Sequence, residues 1–316
     1  MPYSLHSHSG QFCKHGYGLL EDVVKEAIRK GFYVYGLTEH MPRFADSELY
    51  PEEIEAKCTP SSLATTYNDF LKEAKRLQEV YNGQIQLIIG SEIEFINEEY
   101  AKYVHQLRKD TIDYVVGSLH HVQSIPVDFS PELYQKALQI AGNGDLKTLF
   151  VKYFNEQYEM LRSVRPEVVG HFDLIRIFSD PVKAEQLLTP SSTEAAEDKE
   201  EHNDVWDCII RNIKYVIEYG GLFEINSRAW KKGLRDAYPH RNIIKAILVE
   251  GGRLTLSDDC HGPNDVGLFY EKLPDYLKEN QINSIYYLKR DQNIDALSVK
   301  EHSNILDDKF WQSMSK

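Results

Sequence analysis

The stretch Gln86-Leu87-Ile88-Ile89-Gly90-Ser91-Glu92 is an apolar run that ends directly in a glycine, a serine and a glutamate. A short run of this kind is typical of a buried strand. Helical periodicity over about residues 62–81 precedes it, and a second helical segment over about 97–109 follows it. A strand between two helices, with an ionisable side chain directly after its apolar part, is typical of an α/β barrel. In such a barrel the active site lies at the carboxyl ends of the strands.

The same arrangement repeats along the chain. Apolar runs are followed directly by a polar or ionisable residue at His40, Glu92, His120, His171, Asn226 and Asp259. Further helices are predicted over about 19–30, 131–140, 146–163, 204–219 and 240–250. We therefore predict an α/β barrel of seven strands, of which Pro2–Leu5 is the first, and Ser284–Leu288 is a candidate last strand.

Two motifs near opposite ends of the chain predict a metal site. His6 and His8 form a His-x-His, and Asp259 and His261 form an Asp-x-His. Side chains two apart on a strand share a face, so each motif presents two ligands in one direction. Imidazole and carboxylate groups suit Zn, Mn and Fe, and the sequence does not distinguish these metals. Cys13 and Cys260 lie beside proposed ligands, so a direct ligand role for either thiol stays open.

Composition limits the classes of partner. The chain has 316 residues, a net charge of −13 and no basic cluster, which argues against binding to nucleic acid or to an anionic membrane. No apolar run approaches the length of a spanning helix, and the N-terminus does not resemble a signal peptide. The four cysteines are widely spaced, as is typical of reduced thiols, and we expect a cytoplasmic location. The oligomeric state is left open.

Residues 181–203 interrupt the alternation of strands and helices. The segment reads PVKAEQLLTPSSTEAAEDKEEHN and is rich in acidic and small polar residues. We interpret it as an acidic, mobile insertion within the barrel domain.

The ordered motifs from His6 to about Gly262 resemble the PHP (polymerase and histidinol phosphatase) superfamily. Three segments, Gly36–Pro42 (GLTEHMP), Gly170–Arg176 (GHFDLIR) and Glu224–Ser227 (EINS), look most like its histidinol-phosphate phosphatase branch. The resemblance implies one domain over residues 1–316, folded as a distorted (βα)7 TIM-like barrel.

The resemblance also implies three divalent metal ions (Zn, Mn or Fe), each with its own ligands. The first ion would take His6, His8, Glu92 and Asp259; the second would share Glu92 and add His120 and His171; the third would take His15, His40 and His261. Glu92, Asp259 and His261 would be the catalytic residues.

The implied reaction is hydrolysis of L-histidinol phosphate to L-histidinol and phosphate, in histidine biosynthesis, by attack of a metal-bridging hydroxide. Arginine forks match phosphate oxygens, so Arg176 is the first candidate to bind the phosphate, followed by Arg228, Arg235 and Arg43. Three alternatives remain: another PHP-type phosphoesterase, a nuclease, or a catalytically silent metal-binding scaffold. A panel of phosphate esters separates the first two from the leading interpretation.

Overall fold

The computed structural model describes residues 1–190, 204–291 and 296–314. The strands in these residues are β1 (Tyr3–Ser4), β2 (Val34–Leu37), β3 (Gln86–Glu94), β4 (Tyr114–Ser118), β5 (His121–Val122), β6 (Ile125–Pro126), β7 (Val168–Val169), β8 (Leu222–Asn226), β9 (Arg253–Ser257), β10 (Ser284–Asp291) and β11 (Ala296–Ser303). The α-helices are α1 (Leu20–Lys30), α2 (Pro51–Glu55), α3 (Pro60–Val80), α4 (Glu98–Asp110), α5 (Pro131–Ile140), α6 (Leu146–Val164), α7 (Pro181–Leu187), α8 (Asp204–Tyr219), α9 (Arg241–Val249), α10 (Leu273–Glu279) and α11 (Phe310–Met314).

Seven parallel strands form a barrel in the order β1-β2-β3-β4-β7-β8-β9. The two end strands also meet, because the amide of Leu5 donates to the carbonyl of Leu256 at 3.2 Å and Ser7 pairs in parallel with Cys260. Helices cover the outside of the sheet, so strands such as β8 are buried along their whole length. The predicted TIM-like barrel of seven strands, with the first at Pro2–Leu5, is confirmed.

The predicted helices all form, with ends that differ from the predictions by at most a few residues. Helix α1 shows the physical reason: its apolar positions Leu20, Val23, Val24 and Ala27 are buried on one face. Gly31 then ends the helix with a φ of 81°, a conformation that a side chain would strain. Strand β2 follows shortly after this turn, so the glycine that ends α1 also indicates where β2 begins.

The predicted strand at Ser284–Leu288 forms, but it does not join the barrel. It is part of β10, which pairs antiparallel with β11. This hairpin packs on the residues at which the barrel strands begin: Tyr287 stacks on Tyr3 at 3.9 Å between ring centroids, and Arg290 pairs with Asp113. The amino-terminal end of the barrel is therefore covered, which leaves the carboxyl end for a site.

The first part of the predicted mobile insertion is helical. Asp180 caps α7 by accepting hydrogen bonds from the amides of Val182 and Lys183, and Pro181 is the first helical residue. Ala184 and Leu188 are buried, so α7 packs onto the protein. This short capped helix was not predicted, because the prediction of a mobile segment rested on acidic composition. Residues 191–203 lie outside the described part of the chain. Among the helices that the structure does describe, none is long and apolar enough to cross a membrane.

Candidate metal centre

All nine proposed metal ligands lie at the carboxyl rim of the barrel. His6 and His8 follow β1, Glu92 lies in β3, and Asp259 follows β9. The others come from the loops after β1, β2, β4, β7 and β9 in turn: His15, His40, His120, His171 and His261. They fall into groups whose ligand atoms lie within 4.8 Å of one another. The barrel thus brings together residues up to 255 positions apart, from His6 to His261.

The first group is formed by His6, His8, Glu92 and Asp259. The Nε2 atom of His6 lies 3.2 Å from Oε1 of Glu92 and 3.7 Å from Oδ1 of Asp259. The Nε2 atom of His8 lies 3.3 Å from Oε2 of Glu92 and 3.6 Å from Oδ1 of Asp259. Asp259 holds a φ of 47°, which aspartate and asparagine tolerate better than most residues. Two imidazoles and two carboxylates therefore converge on one point.

The second group shares Glu92. Nε2 of His120 lies 3.3 Å from Oε1 of this carboxylate, and Nε2 of His171 lies 3.1 Å from the same oxygen. Because its other oxygen faces His8, the carboxylate of Glu92 lies between two clusters of imidazoles. It is 1% exposed, so water does not separate it from them.

These distances fit bound cations. Ligands at about 2.0–2.2 Å from one tetrahedral ion lie roughly 3.3–3.5 Å apart. The observed nitrogen–oxygen separations are close to this, and the Nε2 atoms of His6 and His8 approach to 3.1 Å. Two ring nitrogens so close cannot both point a proton or a lone pair at the other without cost, whereas a shared cation accepts both lone pairs. Nδ1 of His171 also lacks a hydrogen-bond partner among the described residues, and Nδ1 of His40 lies 2.9 Å from Oε2 of Glu92 without hydrogen-bond geometry.

The third group contains one residue more than predicted. His15, His40 and His261 gather near the edge of the rim, and the thiol of Cys13 lies among them. Sγ of Cys13 is 3.3 Å from Nε2 of His15. Burial alone would raise the pKa of this thiol, but His15 and His40 overcome that effect and lower the pKa to about 6.

Several of these histidines have a carboxylate beside Nδ1, the ring nitrogen that does not face the cluster. Nδ1 of His6 lies 3.1 Å from Oε2 of Glu224, and Nδ1 of His120 lies 3.2 Å from Oε2 of Glu94. A carboxylate on one ring nitrogen fixes the proton there and leaves the lone pair of the other nitrogen for a metal. Glu52 lies beside Nδ1 of His15 in the same way, at 3.2 Å, whereas Oε2 of Glu39 lies 3.5 Å from Nδ1 of His8 without forming a hydrogen bond. Glu224, Glu39 and Glu52 were not predicted from the sequence: Glu224 lies within β8 and Glu39 follows β2, but Glu52 lies in helix α2, where no strand signal indicates it.

The electrostatics agree with a cation site. Burial alone would raise the pKa of Glu92, but His6, His40 and His120 hold this pKa well below its ordinary value. Asp259 behaves alike: His6 and Arg228 outweigh burial and lower its pKa to about 2. Both carboxylates are therefore ionised at neutral pH. Burial and the nearby Arg228 keep the pKa of His261 well below its ordinary range, so its ring is neutral and able to bind a metal.

A cavity of about 300 Å³ opens beside the three groups. Its wall includes the carboxylates Glu92 and Asp259 and the cations Arg228 and Lys232. The Nη1 atom of Arg228 donates to the backbone carbonyl of Asp259 at 3.0 Å and to Oδ2 of Asp265 at 3.2 Å. Arg228 is thereby fixed next to the proposed metal ligand Asp259. The geometry places a positive patch where an anion bound to the metals would lie.

The other arginine candidates, Arg176, Arg43 and Arg235, are not among the residues that line this cavity. Arg176 pairs with Asp173 at 2.8 Å and donates to the carbonyls of residues 236 and 237, so its fork is occupied. Arg43 is 5% exposed and pairs with Glu53 and Glu94. Arg235 is exposed and does not line the cavity. Of the four predicted arginines, Arg228 is the one that lines the cavity.

Several cavity residues were missed by the sequence analysis. Lys232 lines the cavity, as do Asp128 and Tyr238. Oδ1 of Asp128 and the hydroxyl of Tyr238 have no hydrogen-bond partner among the described residues. Apolar wall comes from Phe129, Leu174 and Ile177. Lys232 is four residues from Arg228 in the same loop, but no local pattern distinguishes it from Lys231, which pairs with Asp265 instead.

Comparisons with known proteins agree with this site. The sequence profile of the PHP domain matches residues 4–228. A probable histidinol-phosphatase of Schizosaccharomyces pombe is 44% identical over 312 residues, which cover 98% of this chain and 96% of that protein. The histidinol-phosphatase of Saccharomyces cerevisiae is 33% identical over 338 residues, which cover 99% of this chain and all of that protein.

Two solved structures share the fold. A putative histidinol phosphatase from Listeria monocytogenes superposes with a TM-score of 0.70 at 20% identity, covering 85% of this chain and 99% of that one. A histidinol phosphate phosphatase from Lactococcus lactis, solved with zinc, L-histidinol and phosphate, gives a TM-score of 0.57 at 16% identity, covering 90% of this chain and 95% of that one. At 20% and 16% identity, the two solved structures show that the barrel fold is shared. The two yeast proteins, at 44% and 33% identity, show the family to which the sequence belongs. The chain therefore belongs to the PHP family, and within it to the histidinol-phosphatase branch.

Proposed function

We propose that this chain is a metal-dependent phosphatase that hydrolyses L-histidinol phosphate to L-histidinol and phosphate, the reaction named for its fungal relatives. The proposal rests on one observation. Clustered imidazole and carboxylate groups at the carboxyl rim of the barrel lie beside a cavity whose wall contains cations. Such a site binds a phosphomonoester despite the net charge of −13, because the local field and not the total charge acts on the substrate.

The residues fit divalent ions, and we propose three of them, Zn, Mn or Fe, held as the three groups suggest. When bound, the ions would make water a nucleophile near neutral pH and neutralise the phosphoryl oxygens. Glu92, Asp259 and His261 are the proposed catalytic residues because they would touch these ions on the side of the cavity. Glu92 contacts imidazoles of two groups, so its carboxylate would be shared by two ions.

The rest of the cavity suits the two ends of histidinol phosphate. Arg228 and Lys232 would bind phosphate oxygens beside Asp259. The carboxylate of Asp128 has an unpartnered oxygen and would accept hydrogen bonds from the substrate ammonium. The apolar side chains of Phe129, Leu174 and Ile177 give a surface on which an imidazole packs. A simple phosphate ester would use only the first of these three regions.

A nuclease is the rival on the same scaffold. Nucleic-acid binding requires a row of cations that follows the phosphate backbone. The cavity instead combines two cations with the acidic Asp128 and Glu52. This favours a small zwitterionic substrate over a polyanion.

We further propose that residues 1–316 act as one PHP-type unit, since Tyr3 near the N-terminus stacks on Tyr287 of the C-terminal hairpin. We also propose that the protein is cytoplasmic, where reducing conditions would keep its four cysteines free.

The test is phosphate release from L-histidinol phosphate by the metal-loaded protein, beside a panel of generic phosphomonoesters and a nucleotide. We expect a strong preference for histidinol phosphate. Asp259→Asn should lower turnover by orders of magnitude and keep the backbone, since asparagine also tolerates a φ of 47°. Asp69→Asn, which changes a surface ion pair with Lys72, is the control. Equal turnover of all esters, or preference for the nucleotide, would reject histidinol phosphate as the substrate.

A further inference from the structure

The thiol of Cys13 occupies a position that the three-histidine site leaves unexplained. Cys13 is 6% exposed, yet its sulfur faces imidazoles and not the apolar core. The loop holds it there: the amide of Cys13 donates to the carbonyl of Ser9 at 2.9 Å, and the amide of Gly16 donates to the carbonyl of Cys13 at 3.2 Å. A Cβ at Gly16 would meet the backbone of residues 9 and 10 at 2.9 Å, so glycine permits this tight turn.

We propose that Cys13 binds the third ion as a thiolate, together with His15, His40 and His261. The proposal rests on the metal centre of the proposed function. A tetrahedral zinc ion with sulfur at about 2.3 Å and nitrogen at about 2.0–2.1 Å separates the two ligand atoms by roughly 3.5 Å. The observed separation of Sγ and Nε2 of His15 is 3.3 Å, and the four ligand atoms lie within 4.8 Å of one another.

The ring of His15 is turned for this role. Oε1 of Glu52 lies 3.2 Å from Nδ1 of His15, so a ring proton held on that nitrogen would leave the lone pair of Nε2 for an ion in the cluster. A proton shared by Sγ of Cys13 and Nε2 of His15 would satisfy these two atoms alone, whereas His40 and His261 also have ligand atoms within the same 4.8 Å group, and one metal ion would bind all four. On metal binding the thiol proton leaves to solvent and the sulfur–metal bond replaces the sulfur–hydrogen bond.

The other cysteines differ from Cys13. Cys260 is fully buried and accepts a hydrogen bond from the hydroxyl of Tyr35. Cys58 and Cys208 are half-buried. Within residues 1–190, 204–291 and 296–314, Cys13 is the cysteine that joins a group able to hold a metal.

A thiolate ligand would make the third ion unlike the other two. The first two groups contain the carboxylates of Glu92 and Asp259, whereas the third otherwise offers only neutral rings. Thiolate is a soft ligand that favours zinc, cobalt or iron over manganese. The third ion would also be the only one of the three with a thiolate ligand, so Cys13→Ser should weaken the binding of this ion and leave the other two unchanged.

Cobalt(II) is the probe for this ligand. Metal-free protein is loaded with cobalt(II), and the near-ultraviolet absorption from thiolate-to-cobalt charge transfer is recorded for the wild type, Cys13→Ser and the matched control Cys58→Ser. We expect the band in the wild type and in Cys58→Ser, and its loss in Cys13→Ser. Affinity for the third ion should fall at least ~10–100-fold in Cys13→Ser, since loss of an outer ligand alone has that effect.

The proposal is overturned if wild-type protein with a full complement of cobalt shows no such band, or if the band persists in Cys13→Ser. Zinc X-ray absorption on the wild type decides the matter if Cys13→Ser fails to fold: a sulfur neighbour at about 2.3 Å supports the proposal, and a shell of nitrogen and oxygen alone rejects it. These readouts do not depend on turnover. Histidinol-phosphate hydrolysis without a thiolate band would leave the proposed function standing and remove Cys13 from the site.

Discussion

Glu224→Gln tests whether the carboxylates behind the histidines control the metal centre. Oε2 of Glu224 lies 3.1 Å from Nδ1 of His6, while Oε1 accepts the amide of His171 at 2.5 Å and the side-chain amide of Asn226 at 2.9 Å. The glutamate therefore accepts on both oxygens. Glutamine has one acceptor oxygen, so its NH₂ must face either His6 or the amide of His171.

The consequence is a loss of metal affinity with little change of shape. If the NH₂ faces His6, it donates to Nδ1 and moves the ring proton to Nε2, which then has no lone pair for the ion. Replacing such an orienting partner costs about 10–100-fold in metal affinity or activity, which is about 1.4–2.8 kcal/mol at 1.4 kcal/mol for each factor of ten. We expect a zinc affinity and a kcat reduced by that factor.

The assay is competitive zinc titration with a chromophoric chelator, followed by kinetics on L-histidinol phosphate at saturating zinc. Glu156→Gln is the matched control, because this half-buried glutamate receives only the amide of Gln123, at 3.1 Å, and glutamine keeps that acceptor. Circular dichroism checks that each variant folds. Wild-type affinity and kcat in a folded Glu224→Gln would refute the argument that this carboxylate sets the tautomer of His6.

The cavity cation Lys232, the cavity carboxylate Asp128 and the protonation of the metal-ligating histidines give three further predictions. Lys232→Ala should lower kcat/KM roughly 10–100-fold, because a hydrogen bond to a charged group contributes about 1.5–3 kcal/mol. Steady-state kinetics measure this change, and the control Arg235→Ala should stay near the wild-type value. An unchanged kcat/KM in Lys232→Ala would show that the phosphate binds elsewhere. Asp128→Asn should raise KM for L-histidinol phosphate roughly tenfold and not for an ester without an ammonium; equal changes on both substrates would exclude Asp128 as the ammonium partner. Burial disfavours the charged rings of His6 and His120, but neighbouring carboxylates raise both pKa values well above the ordinary value, so the metal-free protein holds protons there at neutral pH. Zinc must displace them, so its affinity should fall as pH falls. The stability that these protonated rings give the metal-free fold is fully present below the unfolded pKa of about 6.5 and is lost as pH rises through the folded pKa values. Zinc titrations at several pH values test the predicted fall in affinity, and unfolding curves of the metal-free protein at the same pH values test the predicted loss of stability as pH rises. A zinc affinity that does not change with pH would contradict the first prediction.

The barrel was predictable from the sequence because its signals are local. The period of α1, its glycine stop and the short apolar runs each depend on residues a few positions apart. The metal-ligand positions follow from the same signals, since a residue directly after a strand must lie at the carboxyl rim. His6, Glu92 and Asp259 could be proposed together for that reason, without any knowledge of how the loops fold.

The tertiary structure decided which side chains act around those ligands. Arg176 follows a strand, as the ligands do, but Asp173 and backbone carbonyls sixty positions away occupy its guanidinium. Lys232 reaches the cavity while the adjacent Lys231 pairs with Asp265. The hairpin of β10 and β11 likewise carries a strand signal, but its packing on Tyr3 keeps it out of the barrel. Strand ends are fixed by local periodicity and chain direction, whereas the partner of a long polar side chain depends on groups distant in sequence that only the folded chain brings within hydrogen-bonding reach.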